Sequence, residues 1–359
     1  MTDTAHAQHE GDGSTSDINV LRDLARFFNE PNSSGEVSLS YLAEGAANIV
    51  FSIHFSPSSN LYEYSNKFVL RLRKDIPSLR ATKILKQQFD ERIVPLFTFD
   101  PSLLVSGPLV KISRDAVLRA NNELHALELS GRRKPLRRGV YLPSFDVESD
   151  AIFMPNLTYG PGVVVEFKPK WLVQSSTAPA RANRCRTCAL NTLRRVTVGV
   201  SVDATRGLGK GDSGFCPFDL LSHDKDVLHN ALSRIWKDKT SLSSFMHAFT
   251  RRVQPVLRRL QQLQTEHGEV GLEDFLDSHK DPSVAMALRD CSVLTRIVYE
   301  DDQNVDIAVV KLLDLDLKNA DGGKREKWAA TERQLIEEGW YTDEQQQQKT
   351  AIQCAIAAK

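Results

Sequence analysis

The sequence lacks net charge, a long apolar run and abundant cysteine, and each absence narrows the classes of protein to consider. Its 359 residues carry 46 basic and 46 acidic side chains, so no overall attraction to nucleic acid or to an anionic membrane is expected. No stretch approaches the roughly 18 to 20 apolar residues of a membrane span, and the first residues lack the apolar core of a signal peptide. The five cysteines are an odd number, which favours a reducing compartment. These absences predict a soluble intracellular protein.

The order of predicted elements indicates an α+β fold with two lobes, and the 41 % hydrophobic content is sufficient for two cores. Residues 1–16 are polar and are predicted to form a disordered tail. An N-terminal lobe is expected over 17–150, with helices at 18–28, 81–97 and 113–129 and strands at 37–42, 48–55 and 67–73. A C-terminal lobe is expected over 151–340, mostly helical over 217–264, with strands at 292–299 and 305–313 and a helix at 324–338. Residues 341–359 are predicted to be a second tail.

A short run in the middle of the chain combines a strand signal with paired lysines. The β-branched stretch 163–165 predicts a buried strand, and Pro169 ends its hydrogen-bond ladder. Lys168 and Lys170 lie two apart, so on extended backbone they point to the same side and can grip one multiply charged anion. An ordinary strand end with solvated lysines is the alternative. Basic residues also bunch at 71–74, 132–138 and 181–195, which suits a small, densely anionic ligand better than a long polymer.

A turn of small residues, 43–48, lies between the first two predicted strands. Small residues let backbone N–H groups approach an anion such as a nucleotide phosphate, although ordinary turn chemistry explains the segment when it is taken alone. The strand at 67–73 then carries Arg71 and Arg73 on one face, with Leu70 and Leu72 on the other. A loop over phosphates followed by a strand with a cation is the layout of a kinase nucleotide lobe.

Two carboxylates flank the predicted C-terminal hairpin. Asp290 precedes its first strand and Asp314 follows its second, so both can converge at the base of the hairpin. Kinase-like enzymes use one such carboxylate to orient the acceptor hydroxyl and another to hold Mg²⁺. Asp316 points to the same side as Asp314 on extended backbone, and Lys318 adds a cation there. A polar strand end with a helix cap is the alternative.

The spacing Cys185-x-x-Cys188 invites a zinc interpretation, but a structural zinc normally has four ligands. Later candidates form no second pair at metal spacing; they are Cys216, His223, His247, His267, His279 and Cys291. Zinc is therefore the less favoured reading, and a redox pair is less favoured still.

Together these segments resemble the inositol-pentakisphosphate 2-kinase family, and a fungal-type member in particular. Residues 166–170 resemble its Glu-x-Lys-Pro-Lys signature, and residues 43–48 resemble its Glu-Gly-Gly-Ala-Asn loop. Three more segments are similar to family segments in the same order: 184–188 to Cys-Arg-x-Cys, 216–222 to Asp-Pro-Leu-Asp-Leu-Phe-Ser, and 314–318 to Asp-Leu-Asp-Leu-Lys-Pro. The resemblance spans about residues 18–330.

The resemblance implies a two-lobed inositol-phosphate kinase fold distantly similar to protein kinases. The implied reaction is transfer of the γ-phosphate of ATP, with Mg²⁺, to the 2-hydroxyl of inositol 1,3,4,5,6-pentakisphosphate, giving inositol hexakisphosphate (phytate). The fungal members suggest the nucleus as its location, with the cytoplasm as a second candidate. We expect a monomer that binds neither nucleic acid nor membrane.

Carried over position by position, the resemblance assigns a role to individual residues. Asp290 would activate the 2-hydroxyl, and Lys168 would contact the phosphate in flight. Asp314 would hold Mg²⁺ together with Asp316. The residues expected at ATP are Gly45, Ala46, Asn48, Arg71, Glu166 (at the ribose) and Asp314. The residues expected at the inositol phosphate are Lys170, Lys318, one or both of Arg194 and Arg195, and one or both of Lys324 and Arg325.

The chain departs from the family pattern at a few positions. Ala46 replaces the second glycine of the loop, and Asn319 replaces a proline. The mixed Cys and His zinc site of plant members has no counterpart in the sequence.

Three other functions compete with the 2-kinase. A non-catalytic inositol-phosphate-binding protein derived from such a kinase would lose Asp290 or Asp314, but both are present. A nucleic-acid-binding module around Cys185 and Cys188 would need interleaved aromatic residues and a net basic domain. A kinase for proteins or other alcohols is disfavoured because the His-Arg-Asp motif is absent.

Overall fold

The structure is a computed structural model that describes residues 24–26, 28, 37–198, 214–268, 270–318, 323–342 and 354–358. The contacts divide the chain into two compact units, Met1–Gln87 with Val105–Tyr159 and Gln88–Leu104 with Gly160–Lys359. The predicted N-terminal tail, 1–16, lies outside the described residues. Among the described residues, no helix combines the length and the apolar character needed to cross a membrane.

The first unit contains a five-stranded antiparallel sheet in the order β1-β2-β3-β5-β4. Its strands are β1 (Val37–Glu44), β2 (Asn48–Phe55), β3 (Phe68–Arg73), β4 (Leu109–Lys111) and β5 (Asp150–Pro155). Alternate residues of the central strands enter one core, as period-2 patterning requires; they include Ile49, Phe51, Ile53, Leu70 and Leu72. The strands at 37–42, 48–55 and 67–73 are therefore confirmed, with small differences at their ends.

Two helices accompany this sheet in the chain, α1 (Thr82–Arg92) and α2 (Arg114–Leu129). The Ser113 hydroxyl caps α2 by accepting a hydrogen bond from the Ala116 N–H, which is the usual role of serine at a helix start. The helix expected over 81–97 instead ends at Arg92, and a 3-10 turn follows over Val94–Phe97 because Pro95 lacks an N–H for the helical ladder. Of the helix expected over 18–28, residues 24–26 and 28 are described and are helical.

Residues 88–104 were expected in the N-terminal lobe, but they belong to the second unit. Phe89, Ile93, Phe97 and Leu103 are buried in the core of that unit. The single boundary predicted at 150/151 keeps this segment with its chain neighbours and so does not detect that it packs in the second core.

The second unit is built on a three-stranded antiparallel sheet in the order β6-β7-β8. The strands are β6 (Val163–Phe167), β7 (Ser292–Tyr299) and β8 (Val305–Leu313). Its helices are α3 (Arg186–Val198), α4 (Lys225–Ile235), α5 (Leu242–Arg252), α6 (Gln254–Glu266), α7 (Leu272–Leu276), α8 (Ser283–Asp290) and α9 (Lys324–Glu337). Antiparallel sheets together with helices confirm the α+β class.

The helical part of this unit forms most of its core. The Asp224 carboxylate caps α4 by accepting hydrogen bonds from the N–H groups of Asp226 and Val227. Leu228 and Leu232 of α4 are buried, as is Trp236, which stacks on Phe245 with 5.3 Å between ring centroids. The spacing of these residues predicted a core, and the structure confirms it.

The sheet brings the C-terminal end of α8 next to the residue that follows β8. Ser292 pairs with Leu313 at the open end of the β7–β8 hairpin, so the residue that ends α8 and the residue that follows β8 are neighbours. β6 lies at the sheet edge, and Val163 is 42 % exposed. The expectation of a buried strand over 163–165 is therefore wrong, because an edge strand has a neighbour on one side only, and Val164 and Val165 are half-buried.

Candidate functional site

Five charged side chains of the second unit meet at the open end of this hairpin. We call them the Lys–Asp cluster; they are Lys168, Lys170, Asp290, Asp314 and Lys318. The cluster joins the end of β6, the end of α8 and the segment after β8. Every one of its members was predicted as a site residue from the sequence.

Short contacts connect the members of the cluster. Lys168 Nζ donates to the backbone oxygen of Asp290 at 2.7 Å and to Asp314 Oδ2 at 2.9 Å. Lys170 Nζ donates to Asp290 Oδ1 at 2.9 Å. Lys318 Nζ lies 3.6 Å from Asp290 Oδ2 and 3.4 Å from the backbone oxygen of Asp314. Three ammonium groups therefore surround two carboxylates, and the carboxylates are 44 % and 57 % exposed.

The backbone is strained at two members of the cluster. Among the described residues other than glycine, positive φ angles occur at Asn66, Lys170 and Asp314. Lys170 and Asp314 both have φ of 60°, a region that side chains such as lysine rarely adopt. Such conformations cost on the order of 1–3 kcal/mol and concentrate at functional sites. Lys170 does not follow the extended alternation from which its direction was predicted, yet both lysines reach Asp290.

A buried glutamine fixes the backbone beneath the cluster. Gln264 of α6 is fully buried and accepts a hydrogen bond from the Leu172 N–H at 2.8 Å. Its amide donates to the backbone oxygens of Lys170 and Leu288, both at 3.0 Å. Sequence reasoning missed Gln264. The available signal was a polar residue on the apolar face of α6, where Leu257 and Leu260 are buried.

Arg289, the residue before Asp290, is held by hydrogen bonds to the backbone of the core. Its guanidinium donates to the backbone oxygens of Ala285, Gln264 and Gly268. It also lies over the Trp171 ring, with 4.9 Å between Cζ and the ring centroid. Asp290 is therefore preceded by a residue that the core holds in place.

The charges in the cluster shift its acid–base properties. Burial raises the pKa of Asp290, but the three neighbouring lysines outweigh this effect and hold that pKa below its usual value of 3.8. Burial lowers the pKa of Lys168, whereas the charges of Asp314 and Asp290 raise it, and the net pKa lies above 10.5. Asp290 is therefore a carboxylate and Lys168 an ammonium ion at neutral pH.

The remaining predicted residues of the second unit lie in other elements. Asp316 is half-buried two residues beyond Asp314, and Glu166 is exposed on β6. Arg194 and Arg195 lie on α3, the former exposed and the latter half-buried.

Lys324 and Arg325 begin α9, but their side chains have different surroundings. Lys324 is exposed, and desolvation together with the positive charge of Lys318 lowers its pKa. Arg325 instead donates to the backbone oxygens of Asp277 at 2.7 Å and Lys280 at 2.6 Å. These bonds hold a loop in place.

In the first unit, the predicted nucleotide loop is a turn whose backbone is held by hydrogen bonds within the turn and from Lys74. The Gly45 N–H donates to the Asn48 oxygen at 2.9 Å, and the Lys74 N–H donates to the Ala47 oxygen at 2.8 Å. Lys74 Nζ donates to the Gly45 oxygen at 3.0 Å. Gly45 and Ala46 are exposed. Arg71 is half-buried on β3, between Val50 and Ile152 of the adjoining strands.

A buried ion network lies next to this turn. We call it the Glu44 network; its members are Glu44, Lys74, Glu128 and Arg133. Arg133 binds both carboxylate oxygens of Glu44 at 3.0 Å and also pairs with Glu128. Lys74 pairs with Glu44, and the side chains of Glu44, Lys74 and Arg133 are at most 3 % exposed. The paired geometry indicates a structural role.

Arg73 also has a structural partner in the first unit. It was expected to share a ligand-facing side of β3 with Arg71. Its Nε instead lies 3.3 Å from Glu148 Oε2, and both side chains are buried.

Comparisons with known proteins agree with the sequence motifs. The family model described as inositol-pentakisphosphate 2-kinase matches residues 41–334. A curated relative, the inositol-pentakisphosphate 2-kinase of Yarrowia lipolytica (strain CLIB 122 / E 150), is 32 % identical over 181 residues, which are 49 % of this chain and 53 % of the relative. The chain thus spans about half the length of the curated relative that it matches. All predicted site residues lie inside the segment matched by the family model.

Proposed function

This chain belongs to the inositol-pentakisphosphate 2-kinase family, and on that basis we propose that it transfers the γ-phosphate of ATP to the 2-hydroxyl of inositol 1,3,4,5,6-pentakisphosphate. The product would be inositol hexakisphosphate. The observation that carries the proposal is the Lys–Asp cluster, in which two carboxylates lie among three lysines on strained backbone. A fold distantly similar to protein kinases, a location in the nucleus and a monomeric state are part of the same proposal.

The charge of the acceptor suits the cations of the cluster. A pentakisphosphate carries on the order of seven to ten negative charges near neutral pH, by the value expected for each phosphomonoester. Lys170, Lys318 and Lys324 are the ammonium groups that we assign to its phosphates. Arg194 and Arg195 of α3 are the further ligands that the family resemblance suggests. Several convergent cations can bind such a ligand although the whole chain is neutral.

Asp290 is the residue that we assign to the acceptor hydroxyl. Lys170 and Lys318 lie against its carboxylate and help to keep its pKa low. Phosphates of the bound acceptor would compete for these lysines and weaken their hold on the carboxylate. Its pKa would then rise toward the ordinary range, and an oxygen could accept the proton of the 2-hydroxyl. Acceptor binding would in this way make Asp290 a better base.

Lys168 is assigned to the phosphate in transfer. It is held by the Asp290 backbone and the Asp314 carboxylate, so its ammonium position is set before the ligand binds. A preorganised cation of this kind stabilises the charge that develops in phosphoryl transfer without reorganising.

Asp314 and Asp316 are the residues that would hold Mg²⁺. The Asp314 carboxylate is 57 % exposed, and carboxylate oxygens are the ligands that Mg²⁺ prefers. When bound, the ion would neutralise charge on the nucleotide phosphates.

In the first unit, we assign the ATP phosphates to Gly45, Ala46, Asn48 and Arg71. The exposure of Gly45 and Ala46 on a turn whose backbone is fixed supports this assignment, because small residues in a turn let a phosphate approach the backbone closely. Glu166 of the second unit is assigned to the ribose on family resemblance.

The proposal is tested by the position of the hydroxyl that is phosphorylated. The purified chain is incubated with Mg²⁺, ATP and inositol 1,3,4,5,6-pentakisphosphate, and the products are separated by anion-exchange chromatography. The matched control is a pentakisphosphate that already carries phosphate at position 2 and has its free hydroxyl elsewhere. We expect hexakisphosphate from the first acceptor and none from the control. Binding without product would instead favour a non-catalytic inositol-phosphate-binding protein.

A further inference from the structure

One of the basic runs in the sequence lies in a loop of the first unit. Residues 130–139 follow α2 and include the 3-10 turn Pro135–Arg137; we call them the basic loop. The loop contains four arginines, one lysine and no acidic residue. Arg133 is buried, whereas the other residues of the loop are exposed or half-buried. Leu136 is 79 % exposed, and Leu129, just before the loop, is 78 % exposed.

A single carboxylate holds the base of the basic loop. Glu128 Oε1 accepts a hydrogen bond from the Gly139 N–H at 2.9 Å, and Glu128 Oε2 accepts one from the Tyr141 hydroxyl at 2.7 Å. Arg133 also pairs with Glu128, so this arginine belongs to the Glu44 network and not to the exposed charge. Because the loop is ordered by these bonds, little conformational entropy would be lost when it binds a partner.

The exposed cations of the basic loop lack the ion pairs that cations of the preceding helix form. Arg114 and Arg119 of α2 each pair with an aspartate. Among the described residues, no carboxylate pairs with the three exposed cations of the loop, which are Arg132, Lys134 and Arg138. The two arginines donate instead to a hydroxyl and to a backbone oxygen within the loop. Their charge is therefore available to an anionic partner.

The basic loop projects into solvent. A Cβ atom added to Gly131 or to Gly139 would meet no atom within 4 Å, so the space beside both glycines is open. Their φ angles are 71° and 74°, and glycine adopts such values without strain, which lets the chain turn at both ends of the loop. A bound peptide normally needs a groove or an open strand edge, and a projecting loop provides neither. The shape suits a broad surface instead.

We propose that the basic loop binds the surface of an anionic phospholipid bilayer. Arg132, Lys134 and Arg138 would contact the acidic headgroups, and each of these cations adds to the attraction. Leu136 would enter the boundary between headgroups and acyl chains, which removes its apolar surface from water. Binding of this kind is peripheral and reversible, because few apolar side chains enter the bilayer. The proposal does not depend on the proposed kinase reaction.

The composition of the basic loop favours a bilayer over other anionic partners. Single-stranded nucleic acid is bound by cations together with aromatic side chains on which bases stack, but the loop has no aromatic residue, and its exposed leucine would have no role. A receptor for an extended basic peptide would have to withdraw Arg133 from its buried ion pairs. The expectation that this chain binds no membrane rested on the net charge of the whole chain, which does not describe a local patch.

Sedimentation with vesicles tests the proposal. The purified full chain is mixed with sucrose-loaded vesicles of phosphatidylcholine, either alone or with about 30 % phosphatidylserine, and the bound fraction is measured after centrifugation. We expect binding to the anionic vesicles and none to the neutral ones. Binding should weaken as the salt concentration rises, because salt screens exposed charges. Equal binding to both kinds of vesicle, or binding to single-stranded RNA but to neither kind of vesicle, would overturn the proposal.

Leu136→Ser tests whether the leucine enters the bilayer. The partition coefficient of this variant for anionic vesicles should be about 10-fold lower than that of the wild type. The matched control is Leu118→Ser, because Leu118 is also an exposed leucine, on α2, and lies outside the basic loop. The control should bind like the wild type. Equal binding by Leu136→Ser and the wild type would overturn the proposal.

Charge variants test the contribution of the cations. Lys134→Gln and Arg138→Gln should each lower the partition coefficient about 5-fold. The control Arg114→Gln removes an exposed cation that Asp146 already neutralises, so its binding should change little. All these side chains are exposed, so the midpoint of thermal unfolding should stay the same and shows that each variant is folded. Equal losses of binding in the loop variants and in the control would overturn the proposal.

Discussion

Two clusters of charged residues, the Glu44 network and the Lys–Asp cluster, both pair lysines with carboxylates but differ in exposure and backbone strain. In the Glu44 network, Glu44, Lys74 and Arg133 are at most 3 % exposed. In the Lys–Asp cluster, the carboxylates are about half exposed, and two members lie on strained backbone. A network that is buried and bonded on all sides stabilises a fold. An ion cluster whose side chains are exposed to solvent, and whose backbone is strained, is available to a ligand.

The largest predicted effect is on catalysis, at Asp314, the carboxylate that we assign to Mg²⁺. Asp314→Asn keeps the side-chain shape, and asparagine tolerates the positive φ of this position. We expect the phosphate-transfer rate to fall by about 10²- to 10³-fold, because the metal contributes several kcal/mol to transition-state stabilisation. The rate is measured by formation of inositol hexakisphosphate.

The matched control for Asp314→Asn is Asp301→Asn, in the turn at the other end of the same hairpin. Its transfer rate should stay near that of the wild type. Equal losses in both variants would mean that the hairpin as a whole, and not the carboxylate at position 314, is required.

The next effect is on stability, at the buried network. Glu44→Gln leaves Arg133 and Lys74 without their shared carboxylate. Removing one partner from a buried ion network typically costs about 3–5 kcal/mol of unfolding free energy. Urea unfolding should show this loss, while Glu63→Gln, an exposed glutamate of the same unit, should change little. A stable Glu44→Gln protein with impaired ATP use would contradict the structural role.

A smaller effect is expected on acceptor affinity. Lys170→Met removes an ammonium group but keeps much of the side-chain length. Hydrogen bonds to charged groups contribute about 1.5–3 kcal/mol, so the Kd for the pentakisphosphate should rise about 10- to 100-fold. Calorimetric titration measures this change, and the KM for ATP should change less.

Lys237→Met is the control for Lys170→Met, because the Lys237 ammonium caps the end of α4. Its affinity for the acceptor should not change. A loss confined to ATP in the Lys170 variant would reverse the assignment of that lysine.

The smallest predicted effect concerns pH. Burial raises the pKa of Glu44, but Arg133 and Lys74 outweigh it and hold that pKa below 4.5. A carboxyl group whose pKa is lower in the folded state stabilises the protein above its unfolded pKa, and this contribution is lost as pH falls through the folded value. The difference in unfolding free energy between wild type and Glu44→Gln should therefore shrink below about pH 4.5. A difference that is constant from neutral to acidic pH would contradict this account.

Local patterns predicted the hairpin and its two aspartates, because β7 and β8 are rich in apolar and β-branched residues and a polar turn lies between them. Antiparallel pairing alone then brings Asp290 close to Asp314, and the structure shows both in one cluster. Lys170 was predicted to point to the same side as Lys168 because extended backbone alternates its side chains. Lys170 is not extended, since its φ is positive. Strain of this kind depends on tertiary contacts such as those of Gln264, which lies far along the chain.

Other features could not be predicted because their partners are distant in sequence. Arg73 looked like Arg71 on the same strand, but Glu148 is 75 residues away and no local signal links the two. The Cys185 N–H donates to Cys354 Sγ, 169 residues away, in a segment predicted to be a tail, so no local pattern indicates this contact. Long-range convergence of this kind is set by packing of the whole unit.

The central claim, that the exposed cluster is the catalytic site, is tested most directly by Asp290→Asn. Turnover of inositol 1,3,4,5,6-pentakisphosphate and its calorimetric affinity are measured on the same preparation. We predict that turnover falls at least about 10²-fold, while the acceptor binds as tightly as before or more tightly, because a negative charge has been removed from among three lysines. Near-normal turnover would contradict the claim and would remove Asp290 from the reaction.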